Sequence, residues 1–98
     1  MRPTEVKILG ILVKVEYLPE SEMKGDFGLA DLNRYEILIE DSLYGDRERN
    51  TLLHEILHHA EYGSQLNLTE RQVTVLANVL IAIFKDNEQL VDYIFKGR

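Results

Sequence analysis

His54, Glu55 and His58 are the residues whose types and spacing could do chemistry. They read H-E-x-x-H inside Thr51–Gly63, TLLHEILHHAEYG. On a helix, side chains four apart are neighbours, so both imidazoles can reach one ion. Glu55 projects to the next part of the surface. It cannot easily share the ion with both histidines, but it can reach a water bound there. Zinc lowers the pKa of such a water to about 7 in favourable sites. Glu55 would then take the proton as general base, and later pass it to the leaving amine of a cleaved peptide bond.

The helix that must position these groups is legible in the same stretch. Leu52, Leu53, Ile56, Leu57 and Ala60 form one apolar stripe at 100° per residue, and His54 and His58 stand together just beyond its edge. The competing reading is a solvated polar face beside a core stripe. His59 is turned about 100° from His58 and cannot join the other two on one ion, so it reads as a surface residue. Tyr62, one turn beyond His58, reads as half-buried packing or as a donor to an oxyanion. The helix is expected from near Asp46, with acidic Asp46 and Glu48 in its first turn, to a left-handed cap at Gly63.

A catalytic zinc ordinarily takes three protein ligands. Glu61 shares the side of His54 but would have to reach back about a full turn. A second helix opens at Thr69, where Thr69 and Gln72 have capping-box spacing. It runs apolar almost all round through VTVLANVLIAIF to near Lys85. Its exceptions are Thr74 and Asn78, in a four-spaced row with Glu70. Such a row on a buried helix needs water or a polar partner. It is either a narrow solvent-facing stripe or a row turned toward the metal.

TLLHEILHH, LNLTERQVTVLAN and KDNEQL together resemble the small zincin-like proteins often encoded by phages and prophages, distantly similar to ImmA/IrrE-like metallopeptidases. The resemblance runs roughly from Tyr35 to Leu90. It implies a gluzincin-type site in the cytoplasm, whose following helix carries a Glu ligand. A small residue and then Asn or Asp stand three and four positions beyond that Glu. Ala77 and Asn78 match the pair, and Asn78 would orient the first ligand histidine. The ligand position itself holds Thr74, whose neutral hydroxyl is a poor zinc ligand. Either Glu70, one turn earlier and longer, completes the site, or two protein ligands remain. The first preserves hydrolysis of a peptide or protein, for which the resemblance implies a repressor or another regulator. The second points to a zincin-fold binding module acting through a protein partner.

The remaining composition fits one small domain, residues 1–98. Hydrophobic residues are 45%, charged residues 29% and the net charge is −6, with no basic patch for nucleic acid. The chain has no cysteine, so a metal must be held by His, Asp or Glu. No signal-peptide pattern opens the chain, and VLANVLIAIF is too short to span a bilayer, so a cytoplasmic protein is expected. Val6–Tyr17 alternates as a strand, with Gly10 at a bend or bulge. PESEMKGDFG reads as a polar loop. GLADLNRYEILIE reads as a hairpin turning near Asn33-Arg34, with Tyr35, Ile37 and Ile39 on one face. DNEQLVDYIFKGR reads as a short last helix. Strands followed by helices predict an α+β domain: a small antiparallel sheet of about three strands, packed against the histidine helix and a second long buried helix. Tyr35–Ile39 would be the sheet edge offered to an extended substrate. The oligomeric state is not legible at this level.

Overall fold

The computed structural model describes Met1 to Gly97. Its strands are β1 (Glu5–Ile8), β2 (Ile11–Leu18), β3 (Gly28–Asp31) and β4 (Glu36–Glu40). Its helices are α1 (Glu20–Met23), α2 (Gly45–Ser64), α3 (Glu70–Asp86) and α4 (Glu88–Lys96). The α+β class is as expected, but the sheet has four strands in the order β1-β2-β4-β3, and it is mixed. The expected Val6–Tyr17 strand is a hairpin. Leu9 and Gly10 both take left-handed backbone, φ 50° and 84°, the signature of a two-residue turn whose twist matches its strands. The signal was muted because Leu rarely accepts positive φ.

β4 lies parallel to β2, with Lys14 opposite Glu36 and Leu18 opposite Glu40. The chain leaves β2 at Pro19, turns through α1, which buries Met23, runs out along β3 and returns as β4 into the interior of the sheet. Two expectations are corrected by this path. The polar loop contains a helical turn, and the sheet edges are β1 and β3, because β4 is paired on both sides. Tyr35 also falls outside β4. It sits at φ 54° in the β3–β4 turn, partly exposed, while Ile37 and Ile39 fill the core.

Val13, Val15, Ile37 and Ile39 form the inner face of the sheet, and Leu52, Ile56 and Ala60 of α2 pack onto it. The alternation of β2 buries Val13 and Val15 and leaves Lys14 and Glu16 paired on the outer face. α3 covers the other side of α2 through Val73 and Ala77, both fully buried. The layers are therefore sheet, α2, α3. Glu40, buried in the sheet, is satisfied by the backbone N–H and hydroxyl of Ser42. Lys85 reaches Asp46 at 2.9 Å, joining the end of α3 to the start of α2. Both side chains are solvent-exposed, so the pair adds little to stability.

Helix boundaries follow local chemistry with one exception. Thr69 caps α3 in a complete capping box: its hydroxyl accepts from the Gln72 N–H at 3.1 Å, and Gln72 accepts from the Thr69 N–H at 2.9 Å. α2 does not end on Gly63. Its left-handed cap is Gln65, and Gly63 lies inside the helix against Leu9, where a Cβ would stand 3.2 Å from the Leu9 Cδ1. The glycine serves close approach there. α3 is not buried all round either. Its outward face keeps Val75, Leu76, Val79 and Ile83 between 38% and 48% exposed, because among the described residues no further layer covers it. Among the described residues no helix is long and apolar enough to cross a membrane.

Candidate metal centre

α2 sets the histidine pair. The His54 and His58 rings stand edge-to-face with centroids 4.8 Å apart, and their Nε2 atoms lie 3.1 Å from each other. His54, Glu55 and His58 form a group able to hold a metal ion, with one ligand atom from each within 4.8 Å of the others. Glu70 closes on the same point from α3. Its Oε1 is 2.6 Å from His54 Nε2 and its Oε2 is 3.1 Å from His58 Nε2. The capping box at Thr69 makes this approach possible, because it fixes Glu70 as the first helical residue.

Glu61 does not join that convergence. One oxygen accepts from His58 Nδ1 at 3.3 Å and the other from the Leu68 N–H at 2.7 Å. It therefore ties the α2–α3 connection to the histidine helix. A proton on Nδ1 leaves the His58 Nε2 as a lone pair, the tautomer a metal requires. A lone pair, a second imidazole nitrogen and a carboxylate packed within about 3 Å call for a shared cation or proton. Zinc suits the donors. With Zn–N bonds of about 2.0–2.1 Å, tetrahedral ligand atoms sit about 3.3 Å apart. The observed 2.6–3.1 Å separations need only a small outward adjustment to match.

Glu55 is buried, 7% exposed, beneath the cleft. Burial pushes its carboxyl up to about 7. His58 opposes that rise, while Glu70 and Asp26 add to it. The cleft itself, about 280 Å³, is lined by Phe27, Gly28, His54, Glu55, Glu70 and Thr74, with Asn50, Thr51, Ala77 and Asn78 completing it. The polar row Glu70-Thr74-Asn78 thus faces the histidines. Thr74 and Asn78 form cleft wall.

Two expectations about α2 are corrected. His59 is not a surface residue. It is 5% exposed, and its Nε2–H donates to the Glu36 carbonyl at 2.9 Å, binding α2 to the start of β4. The 100° offset from His58 turned it toward the sheet. Tyr62 is 56% exposed and lines a separate small cavity with Leu9 and His59, away from the cleft. It is not placed to donate to an oxyanion there.

Two residues went unnoticed in the sequence. Asn50, one turn before His54, carries a buried Oδ1 with no donor among the described residues, an acceptor left beside the cleft. Nothing in the sequence signalled it. Gly28, the first residue of β3, faces α2. A Cβ there would stand 2.7 Å from Thr51 Cγ2 and 2.8 Å from Glu55 Oε2. A glycine at a strand position is a legible sign of close approach. Gly28→Ala should destabilise the metal-free protein by about 1–3 kcal/mol through overpacking. Thermal unfolding of Gly28→Ala checks this, and Thr51→Ser in the same chain should recover part of the loss. An unchanged melting temperature would show that Glu55 moves aside freely.

Comparison with protein-family models, with curated proteins and with solved structures finds no match for this chain. The geometry of the site therefore carries the functional reading.

Proposed function

We propose that this chain is a zinc-dependent metallopeptidase-like domain. His54, His58 and Glu70 would hold the ion and Glu55 would act as general base. The observation that carries this is the meeting of two imidazole Nε2 atoms and the Glu70 carboxylate, with buried Glu55 beside them. Bound zinc would act as a Lewis acid toward the scissile carbonyl and acidify the attacking water. Glu55 accepts a proton from that water on its carboxylate and delivers it to the amine nitrogen as the C–N bond breaks. Its place beside the ion site, buried at the foot of the cleft, puts it within reach of both transfers. Glu61 holds the His58 tautomer. β3 is the sheet edge at the cleft, and its open backbone groups would pair with an extended peptide. Gly28 keeps that strand close to Glu55.

A second reading is a binding module of the same fold with a weak ion site. The Glu70 side chain is 70% exposed, and the family's ligand position holds Thr74. Water competes well for so open a carboxylate.

Zinc content and peptide hydrolysis, measured on untagged protein, separate the readings. About one zinc per chain with hydrolysis supports the enzyme; zinc without hydrolysis supports the binding module. Glu70→Ala should weaken zinc binding on the order of 10-fold or more, with Thr74→Ala nearly silent. A silent Glu70→Ala together with tighter zinc in Thr74→Glu would move the third ligand to residue 74.

A further inference from the structure

We propose that the cavity adjoining the cleft at Phe27 is a subsite for a basic side chain, lysine or arginine, of the peptide substrate, with Glu40 as its fixed carboxylate. This deepens the peptidase reading and rests on it for the class of ligand.

Glu40 is a buried charge that the fold leaves without a cation. It ends β4 and is 5% exposed. Its side chain accepts from the Ser42 N–H at 3.1 Å, and the Ser42 hydroxyl stands 2.7 and 2.8 Å from its two oxygens. A carboxylate offers about four acceptor positions, and Ser42 supplies only its N–H and O–H protons. Among the described residues no Lys, Arg or His pairs with Glu40. Buried charges are ordinarily paired, so a cavity opening onto this one is suited to a cation.

The walls of the cavity suit such a group. It measures about 540 Å³, and Glu40 lines it with Glu20, the first residue of α1, and the rings of Phe27 and Tyr44. The negative face of an aromatic ring attracts a cation. The chain itself shows that one fits there, because the Arg47 guanidinium lies 5.2 Å from the Phe27 ring centroid. Arg47 also lines the cavity, but it is exposed and its charge is screened by water. The Glu40 carboxylate is held at the wall, where water screens it far less. Two carboxylates face one guanidinium, so the field in the cavity is negative.

Phe27 joins this cavity to the cleft. It precedes Gly28 and lines both spaces. Its carbonyl accepts from the Glu40 N–H at 2.9 Å, which sets Glu40 one strand in from the edge, next to the point where Gly28 approaches Glu55. A peptide paired along β3 that passes Gly28 runs next over Phe27. The side chain it presents there belongs to a residue close to the scissile bond.

The test uses the full chain carrying Glu55→Gln, without zinc. The probes are short blocked alanine peptides with one arginine, glutamine or glutamate, moved along the peptide, and binding is followed by NMR titration. At one position the arginine peptide should bind about 10-fold tighter than the glutamine peptide, and the glutamate peptide weaker than both. The Ser42 and Tyr44 amide signals should shift with it. Glu40→Gln should remove the preference, Glu20→Gln should reduce it by less, and Arg47→Ala should strengthen it. Should Glu40→Gln fail to fold, the Ser42 and Tyr44 shifts together with Arg47→Ala still decide. Equal binding of the three peptides overturns the proposal. An arginine preference that moves signals around Glu70 and leaves Ser42 and Tyr44 still overturns it as well. A glutamate preference lost in Arg47→Ala overturns it and makes Arg47 the selecting group. The titration needs neither zinc nor hydrolysis. Selective binding by a protein that never cleaves counts against the enzyme reading alone, and cleavage without an arginine or lysine preference counts against this subsite alone.

Discussion

Glu55→Gln should abolish peptide hydrolysis and, in the metal-free protein above pH 7, raise the melting temperature. The first effect is the loss of a general base, worth about 10²- to 10⁴-fold in rate. The second follows from burial. The Glu55 carboxyl has an ordinary value of 4.5 and stands at about 7 in the fold, chiefly because burial disfavours its charge. The folded chain therefore binds a proton that the unfolded chain has lost between these values. Its contribution to stability is complete below about pH 4.5 and disappears as pH rises through about 7. Above that, the fold holds a desolvated carboxylate. Partial solvent access limits the penalty to about 1–3 kcal/mol. Glutamine has nearly the same shape and no charge, so the variant should melt several degrees higher at pH 8 and about equally at pH 4, on the scale of about 4–8 °C per kcal/mol. Thermal unfolding of both proteins with chelator across pH 4–9 checks it. Equal melting temperatures at pH 8 would mean that the Glu55 carboxylate is well solvated.

Zinc should stabilise the protein strongly, and the effect should vanish in His54→Ala and in His58→Ala. The ligand atoms come from two helices, His54 and His58 from α2 and Glu70 from α3, so an ion among them would clamp the helix pair. An ion that binds the folded chain at a thousand times its dissociation constant adds about 4 kcal/mol. Removing it should lower the melting temperature by well over 10 °C in a chain of this size. Imidazoles must be neutral to bind, so the gain should be smaller at pH 5.5 than at pH 8. Calorimetry with zinc and with chelator, at pH 8 and pH 5.5, reads all three effects. A melting temperature indifferent to zinc at pH 8 would leave the convergence of His54, His58 and Glu70 as a hydrogen-bonded cluster without a metal role.

His54 and His58 were bound to meet once the stretch was helical, because a rise of 1.5 Å and a turn of 100° per residue leave no other outcome four positions on. The same covalent regularity made the Thr69–Gln72 box, the β2 alternation and the inward pairing of Ile37 with Ile39 readable from the chain. These depend on neighbours within one element. Choosing among Glu61, Glu70 and Thr74 did not. Only the packing of α3 across α2 brought Glu70 onto the two Nε2 atoms and left Glu61 holding His58 and Leu68. The rank of β4 in the sheet depended on where the chain re-entered after β3, an event set by contacts distant in sequence. That path also decided which strand is the open edge, buried His59 against Glu36 and pressed Gly28 onto Glu55. The sequence determined that an imidazole pair with an adjacent carboxylate would exist. Tertiary structure decided what joins it and how dry its base is, because desolvation and convergence between elements arise only when layers close on one another.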